Sequence, residues 1–309
     1  MIKKKFRIAI IGAGYMAEEY LRVLSNKRVE CEAIYSRTYR KSKLLKKKYN
    51  VKKKFKNLND LKLDKKINAL IITVNEVSTF SILEELNISN YKILCEKPVG
   101  VNYNQTRKLF SKIKNNNFYI GLNRRFYSSN IEAKKIVNKE KGKRFISIRD
   151  QQFQNTKINF VNKNIMYCNS VHLIDYINLY ARGKIVKIQR LKKLKNSQFS
   201  ENITRLIFSS KDEVIYHCNW NSPGIWSVNI IQENQRCEMK PLESLIHEKI
   251  IKGKRKRIIF KTTHEDNNFK PGLFLQVNEY LKMLTNKKHK LVNLKDYFET
   301  VKIIKKIYV

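Results

Sequence analysis

Short apolar runs alternate with helix-like segments along the first part of the chain. Residues 6–11, 69–74 and 91–95 are nearly continuous in hydrophobicity, as strands buried on both faces of a sheet are. Between such runs, apolar residues recur at helical spacing, for example over 15–25 and 102–114. Strands that alternate with helices in this way predict a parallel sheet covered on both faces. Further strands are predicted at 29–35 and 118–122, and a further helix at 79–86.

Beyond residue 122 the pattern changes to strand-like runs that follow one another without helices between them. Consecutive strands of this kind predict an antiparallel sheet. The runs are 184–194, 202–210, 213–220, 226–231 and 256–262. Helices are predicted before these strands, at 129–137 and 169–180, and after them, at 272–284 and 294–307.

The predicted fold class is therefore α/β. An N-terminal Rossmann domain, built on a doubly wound parallel sheet, precedes a C-terminal α+β domain with an open, mainly antiparallel sheet. A chain of 309 residues is long enough for two domains. We place a dinucleotide-binding domain at 1–122 and a substrate-binding domain at 123–309, with the final helix a candidate to pack back on the first domain.

Composition narrows the class of protein. The apolar runs fall far short of the roughly 18 residues that a membrane-spanning helix needs, and the five scattered cysteines suit the reduced thiols of a cytosol. The N-terminus resembles a secretory signal, but Arg7 interrupts its apolar centre. Cys168 and His172 have the spacing of two metal ligands on a helix, but no second pair completes a site. We predict a cytoplasmic protein without a membrane partner or a metal.

The formal net charge of +39 would ordinarily indicate a nucleic-acid or membrane partner. Here the lysines are spread through predicted helices, strands and loops alike, which is typical of compositional drift. The densest basic run, at 43–56, is interpreted as a solvated helix face and turn. We therefore predict no specific nucleic-acid partner.

The segment GAGYMA directly follows the first predicted strand. Gly12 permits a tight turn, Gly14 lets a pyrophosphate approach the backbone, and the small Ala17 lets helix and strand pack closely. Tyr15 and Met16 occupy the same turn. Because the pattern opens an alternating half of the chain, it predicts a dinucleotide site to which all five residues contribute.

The second predicted strand ends in YSRTYRK, where many NAD-binding domains place an acid for the ribose 2′-hydroxyl. Ser36, Arg37 and Thr38 occupy that position, and a guanidinium can bind a 2′-phosphate through charge-assisted hydrogen bonds. We therefore predict NADP as the preferred cofactor, with NAD as the alternative. The competing interpretation is that Arg37 is one more drifted basic residue.

Four motifs, IGAGYMA, CEKPVG, GLNRRF and NSVHLIDY, occur in this order between residues 11 and 176. In these motifs the sequence resembles the glucose-fructose oxidoreductase, inositol dehydrogenase and rhizopine-catabolism (Gfo/Idh/MocA) family of NAD(P)-dependent sugar oxidoreductases. Later segments, WNSPGIW, CEMKPLE and FKPG, are similar to a branch often associated with surface-polysaccharide sugars.

The resemblance implies roles for residues in these motifs. Lys97 would lie at the nicotinamide and the substrate hydroxyl and act in catalysis, with Glu96 and Pro98 framing the cofactor; Asn75 matches a position beside it. His172 would be a general acid/base that acts with the lysine. The alternatives are a solvated lysine after a strand and a semi-buried helix histidine.

Further residues are predicted on the substrate side. Many family members place an aspartate four residues before the histidine, where this chain has Cys168, so the usual lysine, aspartate and histidine set is incomplete. The predicted substrate-binding residues are Arg124, Arg125, Gln152, Cys168, Asp175 and Trp220.

We expect hydride transfer between the nicotinamide and a ring carbon of a sugar or nucleotide-linked sugar, in a homodimer or homotetramer. The alternative is a non-catalytic NAD(P)-binding sensor or regulatory protein of the same fold, which the missing aspartate favours.

Overall fold

The computed structural model describes residues 6–86, 88–113, 117–153, 159–192, 200–220 and 222–308. The chain divides into two compact units. The first unit comprises Met1–Asn123 and Leu273–Phe298, and the second comprises Arg124–Gly272 and Glu299–Val309.

The strands fall into two sheets. They are β1 Ile8–Ile11, β2 Cys31–Tyr35, β3 Lys53–Phe55, β4 Ala69–Ile72, β5 Lys92–Glu96, β6 Phe118–Gly121, β7 Phe145–Gln152, β8 Ile185–Lys192, β9 Ser200–Phe208, β10 Glu213–Trp220, β11 Ser227–Gln232, β12 Gln235–Met239, β13 Leu245–Ile251, β14 Lys254–Phe260 and β15 Val292–Asn293.

The helices flank these strands in chain order. They are α1 Tyr15–Asn26, α2 Tyr39–Lys48, α3 Leu58–Leu63, α4 Glu76–Glu85, α5 Tyr103–Lys112, α6 Ser128–Val137, α7 Asn159–Lys163, α8 Val171–Tyr180, α9 His264–Asn268, α10 Leu273–Leu284 and α11 Leu294–Tyr308. Short 3₁₀ turns occupy Ile88–Asn90 and Asn123–Phe126, and a π-helical turn occupies Met166–Ser170. None of the helices in the described part of the chain has the length and hydropathy that a membrane span requires.

The first unit is built on a seven-stranded sheet in the order β15-β6-β5-β4-β1-β2-β3. All neighbours in it are parallel except β15 against β6. Every residue of β1 and β4 is buried, which explains their continuous hydrophobicity. Because β1 has β2 on one side and β4 on the other, the chain crosses over here and leaves a crevice at the carboxyl ends of these strands.

The second unit is built on an eight-stranded sheet in the order β14-β13-β12-β11-β7-β10-β9-β8. Its neighbours are antiparallel except β7 and β10, which run parallel in register. Alternate residues of both strands are buried, and most of α8 is buried as well. The predicted fold class, a parallel Rossmann sheet plus a mainly antiparallel sheet, is confirmed.

Several elements differ from the sequence-based expectation. The helix predicted at 79–86 begins at Glu76, because the Asn75 side chain accepts a hydrogen bond from the Ser78 amide (2.9 Å) and caps it. The helix predicted from residue 169 begins as a π-helical turn and becomes α-helical only at Val171. The strands β12 and β13 were not predicted; β12 presents Cys237 and Met239 inward, and charged residues between them hide the pattern.

Candidate active site

The first glycine of the GAGYMA turn is held between three strands. Gly12 has a φ of +118°, and its amide donates to the Tyr35 carbonyl at 2.8 Å. A Cβ at this position would lie 2.7 Å from the Thr73 carbonyl oxygen and 2.6 Å from its hydroxyl. Only glycine fits this combination of backbone conformation and close approach.

The second glycine faces open space. A Cβ on Gly14 would have no atom within 4 Å, and Gly14 is the N-cap of α1 without a side-chain cap. The amides of the first turn of α1 therefore point toward a region that a ligand can fill. Ala17 is fully buried, whereas Met16 is half-buried and Tyr15 is exposed.

A cavity of about 280 Å³ opens at the carboxyl ends of β1, β2 and β4. Lys41 lines it in addition to the predicted residues, and within the described chain its lining has two cations, Arg37 and Lys41, and no carboxylate. A glycine turn, a helix N-terminus and two cations fit the phosphate groups of a dinucleotide. Six predicted cofactor-binding residues line the cavity: Gly12, Gly14, Ser36, Arg37, Thr38 and Asn75.

Ser36 and Arg37 follow β2 directly. The Ser36 hydroxyl accepts from the Thr38 amide (3.2 Å), which shapes the turn into α2. The Arg37 guanidinium donates to the Ser78 hydroxyl (2.7 Å) in the first turn of α4. Both side chains thus belong to the rim of the cavity, where the sequence predicted the ribose of the cofactor.

The CEKPVG motif ends β5 on a buried carboxylate. Glu96 accepts a hydrogen bond from the Tyr20 hydroxyl (2.6 Å), and the Gln276 amide donates to that hydroxyl (2.7 Å). Burial, and then the adjacent Glu96, raise the pKa of Tyr20 well above its ordinary value, so it remains a donor. Lys97 follows, half-buried, and is joined to the buried Pro98 by a cis peptide bond. The sequence missed Tyr20 and Gln276, which lie far from the motif along the chain.

In the second unit, His172 is 3% exposed and lies in the first turn of α8. Cys168 is 2% exposed and lies within the preceding π-helical turn, where its amide donates to the Asn164 carbonyl (3.0 Å). π-Helical turns interrupt the regular backbone ladder and occur frequently at functional sites. The two predicted residues are thus carried by one irregular segment, whereas Lys97 belongs to the first unit.

Arg125 and Asp175 form a bidentate ion pair. The Arg125 Nε and Nη2 atoms donate to the two carboxylate oxygens, each at 2.6 Å, and the Thr300 hydroxyl donates to Oδ1 at 2.9 Å. Asp175 is 1% exposed and the Arg125 side chain is 19% exposed, so the carboxylate is almost fully removed from water and the guanidinium only partly. The structure therefore joins these two predicted substrate-binding residues to each other.

The neighbouring Arg124 has a different environment. Its guanidinium carbon lies 4.4 Å from the centroid of the Trp226 ring, the geometry of a cation–π contact. Trp220, another predicted substrate contact, is buried and stacks on Tyr308 with ring centroids 5.3 Å apart. Arg124 is half-buried and therefore retains the access to solvent that a substrate contact needs.

Gln152 lies on the inner face of β7 beside a carboxylate that the sequence reasoning missed. Its Nε2 atom donates to Asp150 Oδ1 (2.7 Å) and to the Ser170 hydroxyl (2.9 Å). Burial raises the pKa of Asp150, and hydrogen bonds from Ser170 and Tyr216 partly oppose that shift. The signal was present in the sequence, because Asp150 is in period-two register with Ile146 and Ile148, which point into the core.

A likeness in fold extends over nearly the whole chain. A solved NADPH-dependent oxidoreductase, so described provisionally, from Desulfitobacterium hafniense is 18% identical, with a TM-score of 0.81 and coverage of 98% of this chain and 94% of that one. UDP-N-acetylglucosamine 3-dehydrogenase from Acidithiobacillus ferrooxidans is 10% identical (TM-score 0.79, coverage 97% and 96%). Levoglucosan dehydrogenase in complex with NADH is 12% identical (TM-score 0.81, coverage 98% and 95%). At these identities the likeness establishes the fold alone.

The sequence itself matches a family model in its first domain. No curated protein sequence matches the chain. Residues 6–123 match the model described as oxidoreductase family, NAD-binding Rossmann fold. This stretch contains the glycine turn, the cavity rim and the CEKPVG motif described above. The first domain of this chain therefore matches the Gfo/Idh/MocA family model, whereas for the rest of the chain the likeness is one of fold.

Proposed function

We propose that the protein transfers hydride between NADP(H) and a ring carbon of a sugar or nucleotide-linked sugar. The observation that carries the proposal is the cavity at the glycine turn, whose rim offers backbone amides and two cations in a domain of an NAD-binding oxidoreductase family. The sugar class is supported by the names of proteins with the same fold, a UDP-N-acetylglucosamine dehydrogenase and a levoglucosan dehydrogenase.

The cofactor preference follows from charge. A 2′-phosphate beside Ser36 would meet Arg37 and Lys41 and, in the described chain, no lining carboxylate. A charge-assisted hydrogen bond of this kind contributes about 1.5–3 kcal/mol, equivalent to roughly 10- to 150-fold in affinity. NADPH is therefore the expected cofactor.

Fluorescence titration with NADPH and NADH tests the preference. Arg37→Ala is expected to weaken NADPH binding by roughly 10- to 100-fold and to change NADH binding little. Arg40→Ala is the matched control, because Arg40 is an exposed arginine of α2 that does not line the cavity. Tighter binding of NADH by the unaltered protein, or an equal loss for both cofactors in Arg37→Ala, would contradict the preference.

The protein's own contribution to the chemistry is proton exchange and orientation. When bound, the nicotinamide supplies or accepts the hydride. Lys97, half-buried after β5, and His172, buried in α8, are proposed to exchange the proton of the reacting hydroxyl. General acid/base groups of this kind typically contribute about 10²- to 10⁴-fold in rate.

Turnover with a panel of sugars tests this assignment. The panel contains UDP-N-acetylglucosamine, levoglucosan, myo-inositol and their oxidised forms. Lys97→Met is expected to lower kcat by about 10²- to 10⁴-fold while NADPH still binds. Lys108→Met is the control, because Lys108 makes an exposed ion pair with Glu84. An unimpaired Lys97→Met variant would overturn the assignment.

A second candidate, a non-catalytic NADP-binding sensor, is favoured by Cys168. A thiol cannot take over the charge of the carboxylate common at this position in the family, and Cys168 is buried. NADPH binding without turnover on the panel would support the sensor, and turnover would exclude it.

We place the protein in the cytoplasm as a homodimer or homotetramer that acts on the sugars of a surface polysaccharide. Light scattering of the purified protein tests the oligomeric state; a monomeric mass at micromolar concentration would contradict it.

A further inference from the structure

Asp150 is a carboxylate buried in the interior of the second unit. It lies on β7 in the alternation of inward residues that includes Ile146, Ile148 and Gln152, and its exposure is 0%. A buried carboxylate is costly unless hydrogen bonds compensate for its lost hydration. The contacts of Asp150 therefore indicate what its charge does in the fold.

The first carboxylate oxygen determines the orientation of a neighbouring amide. Gln152 Nε2 donates to Asp150 Oδ1 (2.7 Å), and Gln152 Oε1 accepts from Asn169 Nδ2 (2.6 Å). Because an ionised carboxylate only accepts hydrogen bonds, the amide nitrogen of Gln152 must face Asp150 and its oxygen must face Asn169. The same nitrogen donates to the Ser170 hydroxyl at 2.9 Å. Asp150 thus holds two consecutive side chains of the π-helical turn, Asn169 through the Gln152 amide and Ser170 through that amide and a direct hydrogen bond.

The second carboxylate oxygen fixes a tyrosine. The Tyr216 hydroxyl donates to Asp150 Oδ2 (2.6 Å) and lies 2.6 Å from the Tyr308 hydroxyl. Since the single proton of Tyr216 is directed at Asp150, the Tyr308 hydroxyl must donate to Tyr216. Asp150 therefore sets the direction of hydrogen bonds toward both β10 and the last helix.

The π-helical turn that Asp150 holds carries Cys168 and leads into His172. We propose that Asp150 is a positioning residue, which holds this turn through Gln152 and so orients His172. The expected effect on turnover rests on the proposed function, whereas the orientation of His172 by Asp150 does not. In this arrangement the π-helical turn supplies the thiol of Cys168. The carboxylate that holds this turn is Asp150, which lies on β7.

A swap of the donor and acceptor tests the proposal. Gln152→Glu places a second carboxylate against Asp150, and two like charges at hydrogen-bond distance cannot both remain ionised in a buried site. Asp150→Asn combined with Gln152→Glu restores one amide and one carboxylate, with the amide now on the residue 150 side and donating toward residue 152. The kcat is measured on the panel sugar that the unaltered protein turns over. For Gln152→Glu we expect a kcat roughly 10- to 100-fold lower than that of the unaltered protein and an unchanged KM for NADPH. The double variant is expected to recover most of that loss.

The ¹H–¹⁵N ring signals of His172, assigned with His172→Gln, supply a reading that does not depend on turnover. They are expected to shift in Gln152→Glu and to return toward the original positions in the double variant. If Gln152→Glu does not fold, Gln152→Met, which removes all three hydrogen bonds of this side chain without adding a charge, is expected to shift the same signals. Asp212→Asn is the control, because Asp212 is an equally buried carboxylate that pairs with Arg182; it should lower stability and leave the His172 signals in place.

The outcomes separate this proposal from the proposed function. If the unaltered protein turns over no sugar, the proposed function fails and the His172 signals still decide the positional role. If the double variant recovers neither kcat nor the signals, Gln152 acts on its own and the positioning role of Asp150 is wrong. Unchanged His172 signals in every Gln152 variant would overturn it as well.

Discussion

The ion pair between Arg125 and Asp175 permits a quantitative test, and the perturbation is Arg125→Met. Methionine keeps the approximate length of the side chain and removes its charge. In the native protein both carboxylate oxygens accept from the guanidinium at 2.6 Å, and the Thr300 hydroxyl adds a third hydrogen bond. The variant therefore leaves an almost fully buried carboxylate without its cation.

Removing one partner of a buried ion pair costs about 3–5 kcal/mol, whereas replacing both partners by apolar residues is often close to neutral. Arg125→Met alone is accordingly expected to lower the free energy of unfolding by about 3–5 kcal/mol. The double variant with Asp175→Leu is expected to recover most of this loss, so the coupling free energy between the two positions should be at least as large as the amount recovered.

Urea denaturation followed by tryptophan fluorescence is the appropriate assay. Both tryptophans of the chain, Trp220 and Trp226, belong to the second unit, so their emission reports the unfolding of the unit that contains the pair. A cost below about 1 kcal/mol for Arg125→Met is the value expected of an exposed pair, and it would refute the reasoning. Stability that stays unchanged while sugar binding is lost would instead make Arg125 a substrate ligand.

Three further results are expected. Gly12→Ala should lower the free energy of unfolding by about 2–5 kcal/mol and abolish NADPH binding in a fluorescence titration. The alanine methyl would lie 2.7 Å from the Thr73 carbonyl oxygen, on a residue whose φ is positive. A stable variant that still binds the cofactor would contradict this expectation. Tyr20→Phe removes the donor to Glu96 and should cost about 1–3 kcal/mol in thermal or urea unfolding, and a loss within experimental error would argue against the buried bond. Burial raises the pKa of Asp150 in the native state above its ordinary value of 3.8. Between the unfolded-state pKa and the native-state pKa, the native protein retains a proton that the unfolded chain releases. The free energy of unfolding therefore falls as pH rises through this range. Asp150→Asn has no carboxyl group to titrate at this position, so urea denaturation from about pH 4 upward should show the variant gaining stability relative to the unaltered protein. A stability difference that does not change with pH would exclude the raised pKa.

Local sequence was sufficient for the fold class, a parallel sheet followed by a mainly antiparallel one, although it did not reveal β12 and β13. The buried strands β1 and β4 are continuous in hydrophobicity because a parallel strand is covered on both faces, and GAGYMA is recognisable because a tight turn at Gly12 tolerates no Cβ. The three residues after β2, which the sequence predicted at the ribose of a cofactor, line the cavity at the carboxyl ends of the strands. Such features depend on neighbours within a few residues, so the sequence states them directly.

Contacts between residues distant in the chain were decided by the tertiary structure alone. Tyr20 meets Glu96 across 76 positions, and Asp150 meets Tyr216 across 66. The sequence placed Gln152 and Asp175 among substrate contacts, and the structure adds their internal partners, Asp150 and Arg125. The pattern of a strand reveals that Asp150 points inward, but not which donors compensate for its charge. Those donors come from other strands and helices, and only the packing of the folded chain brings them within hydrogen-bond distance.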